Sequence, residues 1–186
     1  PAEFMNELAS RLHKGIRILR NMKKITIAAI NGACFGAGLG YAAACDFRIC
    51  VKEATFGCAF TRIGLSPDSS STFHLPKIVG LSLANEMLFL NRVLDAEEAL
   101  QYNLVNRVVS SEKFVEEIKK FAIEVSRGAP MAFENTKKLL NESYYNNLDM
   151  HLNREQELIV KTAGTEDFQE GLKAFFEKRK PDFKGK

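Results

Sequence analysis

The sequence predicts an α/β core followed by an all-helical tail, and three observations carry that prediction. A β-branched run, Ile25-Thr26-Ile27 leading to Ile30, breaks at Asn31-Gly32 and enters the glycine-rich turn Gly36-Ala37-Gly38-Leu39-Gly40, after which Tyr41 to Cys45 reads as a small-residue helix. A second apolar run, Phe47 to Val51, follows and completes a β-α-β arrangement of parallel strands. From Ser111 onward no stretch reads as a strand.

Taken in order, Phe4, Leu8, Leu12, Ile16 and Leu19 recur at helical spacing, so the first twenty residues form an amphipathic helix. Ala54 to Gly57 is one more short strand. Phe60 to Asp68 is a loop, marked by Gly64 and the Ser66-Pro67-Asp68 turn signal. Helices are expected from Ser69 to Val79, closed by Gly80, and from Ser82 to Leu90. Asp95 caps a further short helix with Glu98 as its capping-box partner. The tail reads as helices from Ser111 to Arg127, after Gly128-Ala129-Pro130, from Leu148 to Val160, and from Asp167 to Lys180, the last ended by Pro181. The apolar residues of the tail, among them Leu152, Leu158, Ile159, Phe168, Leu172 and Phe175, call for burial, either on the chain's own core or against another copy.

Composition narrows the function. With 186 residues, 46% of them hydrophobic, the chain buries one ordinary core. A net charge of +3, with Lys and Arg dispersed, gives no footing for nucleic acid. No apolar run approaches the roughly 18 residues of a membrane helix. Cys34, Cys45, Cys50 and Cys58 form no CxxC pair and point to a reducing, cytoplasmic compartment. His13, His74 and His151 match no metal spacing, so no metal is expected. The chain begins PAEFMNELA, inside a helical pattern and without Met, which leads us to expect a preceding portion and leaves a targeting segment there open.

Two stretches carry candidate chemistry. A strand feeding a glycine turn and a helix aims free backbone N–H groups at whatever lies above the turn, an arrangement suited to a developing negative charge. The alternative is a Gly/Ala helix packed closely on a sheet. Dinucleotide binding fails, because G-x-G-x-x-G needs a third glycine where Tyr41 stands. The second stretch holds Asp68, in a Pro-bounded loop with Phe60, Leu65 and Phe73 nearby in sequence. Apolar surroundings raise a carboxyl's proton affinity and favour acid–base work near neutrality. The alternative is a plain N-cap, with Asp68 accepting the N–H of Ser70 or Ser71.

Ile27-Ala28-Ala29-Ile30-Asn31-Gly32, Gly36-Ala37-Gly38, Cys45-Asp46, Phe56-Gly57 and Gly64-Leu65-Ser66-Pro67-Asp68, in that order, resemble the enoyl-CoA hydratase/isomerase (crotonase) family. Leu75-Pro76, Gly80, Asp95 to Ala99 and Phe176-Glu177-Lys178-Arg179 extend the resemblance over the whole chain. It implies a ββα spiral core over residues 1–110, lacking its amino-terminal strands, and a helical trimerisation region over residues 111–186. It further implies a homotrimer or dimer of trimers and an acyl-CoA thioester as ligand, coenzyme A being part of the substrate rather than a cofactor. Of two backbone N–H groups that hold the thioester oxygen in this family, one falls at Ala37 and the other in an amino-terminal loop. The two carboxylates with which hydratases of the family split water would fall at Gly40 and Phe60, which points away from hydration.

Asp68 stands where members resembling Δ3,Δ2-enoyl-CoA isomerases and epoxyphenylacetyl-CoA isomerases keep one acidic residue, and where 4-chlorobenzoyl-CoA dehalogenases carry a nucleophilic Asp. The expected activity is a double-bond shift by Asp68, with Phe60, Phe73 and Gly40 lining the substrate pocket and the two rings excluding water. Phe175 and Lys178 on the last helix would reach coenzyme A. The alternatives are a dehalogenase-like hydrolase with Asp68 as nucleophile, for whose ester hydrolysis the sequence assigns no His, and a non-catalytic CoA-ester-binding or assembly subunit.

Overall fold

Apolar β-branched segments and a small-residue helix are combined here as two turns of a strand–strand–helix coil. The computed structural model describes residues 1–186. After α1 (Ala2–Asn21) come β1 (Ile27–Ile30), β2 (Ala33–Phe35) and α2 (Ala37–Ala44), then β3 (Phe47–Val51), β4 (Thr55–Gly57) and α3 (Ser71–Val79). Helix α4 (Leu81–Phe89), β5 (Leu94–Asp95), α5 (Ala96–Gln101) and β6 (Arg107–Val109) complete the strand-bearing part. The remainder is α6 (Phe114–Ser126), α7 (Pro130–Glu142), α8 (Leu148–Ala163) and α9 (Glu166–Phe176).

Two small sheets share the six strands. Parallel pairing gives one sheet the order β1-β3-β6, with Ile27 opposite Phe47 and Ile49 opposite Arg107. The other has the order β2-β4-β5, in which β2 and β4 are parallel and β5 runs antiparallel. Strand β3 is buried from Arg48 to Val51, as a central parallel strand covered on both faces must be. Leu39, Ala43, Phe56, Leu75, Ala84, Met87, Leu94 and Leu104 form the core between the sheets and α2 to α5. Asp95 and Glu98 make the expected capping box.

By compactness the chain forms two units, Pro1–Arg20 with Thr26–Lys120, and Asn21–Ile25 with Phe121–Lys186. In the second, Lys137 donates to the Lys24 carbonyl at 3.1 Å, and Asp167 receives the backbone N–H groups of Lys184 and Gly185 at 2.6 and 2.9 Å. No helix of the chain is long and apolar enough to cross a membrane.

Several boundaries differ from those the sequence predicts. Strand β2 was not expected, since Ala-Cys-Phe is too short to show alternation. Helix α2 begins at Ala37, not Tyr41, because the chain turns at Gly36 alone. Helix α9 ends at Phe176, not Lys180. There Lys178 adopts φ +53°, and Arg179 and Lys178 donate to the carbonyls of Ala174 and Phe175, a closing pattern that needs no proline.

Asp46 locks the turn between α2 and β3. Its Oδ2 accepts from both the N–H and the hydroxyl of buried Thr26 at 2.8 Å. Asp46→Ala strands both donors, and we expect a loss of about 3 kcal/mol. Urea unfolding checks this, with a lower midpoint at unchanged m.

Candidate active site

The site is built on helix α2, which is walled by its own small residues. Gly36 takes φ +54° and ψ −124°, a conformation open to glycine, and so swings the chain from β2 into the helix. Ala37 is the first residue of α2, where the ladder leaves N–H groups without helical acceptors. A Cβ on Gly36 would stand 3.7 Å from Cζ of Phe60, so the Phe60 ring lies beside the turn.

One helical turn further on, Gly40 admits the backbone of another loop. A Cβ there would lie 2.1 Å from the Ser69 carbonyl oxygen and 2.8 Å from the Ser69 Cβ. No side chain fits without moving the loop, so the position expected for a hydratase carboxylate is occupied by Ser69 main chain. Ser69 is wholly buried, and both it and Ser70 adopt left-handed backbone, at φ +54° and +62°. Such conformations cost non-glycine residues about 1–3 kcal/mol each and persist where surroundings enforce them. Here the enforcement is visible: the Ser71 hydroxyl and N–H both donate to the Asp68 carbonyl, at 2.7 and 3.1 Å.

That loop presents Asp68. Its Oδ1 lies 2.5 Å from Nε2 of His13, on α1, and its Oδ2 accepts from the Ser69 hydroxyl at 3.4 Å. The Asp68 side chain keeps 25% of its surface exposed and that of His13 41%, so both face an open site. Burial pushes the Asp68 carboxyl up, but hydrogen bonds from His13 and Ser69 and the His13 charge outweigh it and hold the group below its ordinary value. Asp68 is therefore an ionised acceptor, and His13 donates to it.

His74 braces the loop from beneath, its Nδ1 3.0 Å from the Ser70 hydroxyl. Burial, reinforced by the charges of Arg20, Lys77 and Arg48, pushes its imidazole down to about 4, so it is neutral at neutral pH. Burial likewise pushes the Cys34, Cys50 and Cys58 thiols up to about 11, which removes them as nucleophiles. No three His, Cys, Asp or Glu side chains gather as a metal would require.

Several expectations are corrected. Asp68 has its proton affinity lowered, not raised, because its carboxylate meets polar partners and solvent rather than an apolar wall. Its side chain does not cap α3 either: Ser70 occupies the cap, without a side-chain bond, and α3 starts at Ser71. Phe60 lies at the glycine turn, whereas the Phe73 ring carries the Lys77 ammonium 3.0 Å above its centroid and packs edge-on against His74. Lys178 lies beyond α9, not on it, and with Phe175 belongs to the second unit. His13 was missed altogether. The signal available was a polar ring in the turn of α1 that also carries buried Ile16.

The family model described as "Enoyl-CoA hydratase/isomerase" matches residues 2–186, and the chain belongs to that family. It is 35% identical over 170 residues to "Crotonyl-CoA hydratase" of Syntrophomonas wolfei, covering 91% of this chain and 65% of the relative. It is 37% identical over 164 residues to "4-chlorobenzoyl coenzyme A dehalogenase-1" of an Arthrobacter species, covering 88% of this chain and 59% of the relative. The solved structure of an enoyl-CoA hydratase from Bacillus anthracis superposes with a TM-score of 0.95 at 30% identity, over 100% of this chain and 72% of that one. The chain thus spans somewhat less than two thirds of the first two relatives and has the crotonase fold.

The Asp68–His13 contact has a pH signature. Asp68 binds its proton more weakly folded than unfolded, so the stabilisation is complete above the unfolded value of about 3.9 and is lost as pH falls through the lower folded value. The stability difference between the chain and its Asp68→Asn variant, followed by urea unfolding, should close as pH is lowered through that window. A difference that widened there would contradict the contact.

Proposed function

We propose that the protein is an acyl-CoA enzyme in which one carboxylate, Asp68, moves a proton between two carbons of an enoyl-CoA thioester. The observation that carries this reading is the Asp68 carboxylate held by His13 in an open site; the resemblance adds that a hydratase pair would fall at Gly40 and Phe60, neither of which carries an acid. The Ala37 N–H, at the first residue of α2, would receive the thioester oxygen as negative charge builds on it, an interaction worth several kcal/mol in comparable sites. Asp68 takes a proton from the carbon next to the carbonyl, the electron pair spreads onto the oxygen, and the same carboxyl returns the proton two carbons away. A weakly basic carboxylate suits the second half of that shuttle, since it gives its proton up readily. The first half depends on the oxyanion donors to acidify the substrate.

A second reading is favoured by His13. An ionised carboxylate is also a nucleophile, and once it is esterified the imidazole beside it, no longer paired with a negative charge, can in its neutral form take a proton from water. Asp68 would attack a halogenated aryl-CoA ring, a C–O bond forming as halide leaves. His13-activated water would then attack the Asp68 carbonyl of the resulting ester, the acyl C–O bond breaking to release a hydroxyaryl-CoA and regenerate the carboxylate. The similarity to the Arthrobacter dehalogenase supports this reading, as that to the Syntrophomonas hydratase keeps water addition in view. Phe175, 77% exposed, and Lys178 offer an aromatic face and a cation to coenzyme A, the cation suited to a phosphate.

The full-length protein is assayed on a 3-enoyl-CoA, a 2-enoyl-CoA and a 4-halobenzoyl-CoA, each beside Asp68→Asn. The first reading predicts conversion of the 3-enoyl ester alone, falling at least 10²-fold in the variant, by the usual weight of a positioned acid–base group. Halide release, with an aryl ester accumulating on Asp68 in His13→Gln, would replace it with the second. Robust hydration of the 2-enoyl ester overturns both, and inactivity on all three with binding retained points to a non-catalytic subunit.

We also propose self-association through the second unit. Leu148, Met150, Ile159, Val160, Phe175 and Phe176 are each more than half exposed on its helices, a larger apolar display than a lone chain keeps in water. Light scattering of the full-length protein should give three or six times the chain mass, and a monomer at micromolar concentration would contradict this.

A further inference from the structure

The partners in the Asp68–His13 contact are 55 residues apart in sequence, and both are seated on neighbouring residues of α2. On the aspartate side, the main chain of Ser69 rests on the bare Cα of Gly40. On the histidine side the seat is Tyr41. Its hydroxyl donates to the Leu12 carbonyl at 2.8 Å, and a Cβ on Gly15 would lie 2.2 Å from the Tyr41 hydroxyl oxygen. Helix α1 therefore passes over the phenol at the point where Gly15 leaves room for it. Leu12 and Gly15 flank His13, so one hydroxyl fixes both the height and the closest approach of the turn that carries the imidazole.

Full apolar burial on α1 is confined to one residue. Ile16 is the only buried residue of α1, and Phe4 and Leu8 are exposed. A further polar anchor is Arg20, which donates to the Ala44 carbonyl at 3.2 Å and lies 3.6 Å from Asp46. It is seven residues beyond His13, about 10 Å along the helix. A mid-helix carbonyl has a second lone pair free for a donor such as a phenol.

We propose that Tyr41 is a positioning residue. Through Leu12 and Gly15 it sets the place at which His13 meets Asp68, so that the dipeptide Gly40-Tyr41 acts as a template for the pair. This rests on the reading of Asp68 and His13 as the reactive centre. The bond itself is tested without substrate, which keeps a failure of that reading distinct from a failure of the template.

The carboxyl carbon of Asp68 is followed by NMR titration in the full chain, in the parent and in Tyr41→Phe, Gly15→Ala, His13→Gln and Tyr41→Phe combined with His13→Gln. The parent titrates below an ordinary carboxyl, and His13→Gln moves the titration upward. Tyr41→Phe and Gly15→Ala each move it upward, and the double variant matches His13→Gln alone, since a residue acting through His13 has nothing left to act on. On the substrate that the full-length protein turns over, Tyr41→Phe lowers kcat about tenfold with KM little changed, the scale expected of a small misplacement. An unmoved titration in Tyr41→Phe and Gly15→Ala, or effects that add in the double variant, overturns the proposal. A parent titration that His13→Gln leaves unmoved removes the pair, and the template with it.

Discussion

The contact between the Asp68 carboxylate and the His13 imidazole is the constraint around which the strand-bearing unit is arranged. It requires a loop and a helix distant in sequence to converge on α2, which receives the loop at the bare Cα of Gly40 and the helix on the phenol of Tyr41. At Gly40 the loop's main chain lies where any Cβ would collide. The glycine at position 40 and the path of the Asp68 loop are therefore one structural fact. A chain that places Ser69 against the helix has no room for an acid on it.

The cost of this arrangement is carried by the backbone. Ala59, Ser69 and Ser70 all adopt left-handed conformations without being glycine, and they sit on either side of the segment that delivers Phe60 and Asp68. What holds them is a set of short polar contacts: Ser71 to the Asp68 carbonyl, His74 to Ser70, and the Gly36 N–H to the Gly57 carbonyl at 3.0 Å. His74 serves in this as a neutral ring, because burial beside cationic side chains denies it a proton. The imidazole exposed at the site and the imidazole buried beneath it thus do different work. One partners the carboxylate, and the other props the loop that presents it.

Features encoded by local spacing were legible in the sequence. The Asp95 and Glu98 capping box, the glycine turn at Gly36 and the parallel strands about α2 each follow from residues a few positions apart. Asp68 was legible as a candidate for the same reason. Its proton affinity was not, because Leu65 and Phe73 are neighbours in sequence but do not surround the carboxylate: Leu65 is exposed and Phe73 lies under Lys77. His13 was illegible because its role depends on how α1 crosses α2, which is decided by the Tyr41 phenol and the gap at Gly15. Helix α9 was read too long because the stop lies in a left-handed lysine rather than in the proline that follows.

The most direct test of a reactive centre built on Asp68, His13 and the Ala37 N–H is a crystal structure of the full-length protein with an unreactive acyl-CoA analogue. The account predicts the carbonyl oxygen of the analogue about 3 Å from the Ala37 nitrogen and a carbon of its acyl group against the Asp68 carboxylate, with the His13 contact retained. An acyl chain directed away from Asp68, or a thioester oxygen held by other donors, would contradict it.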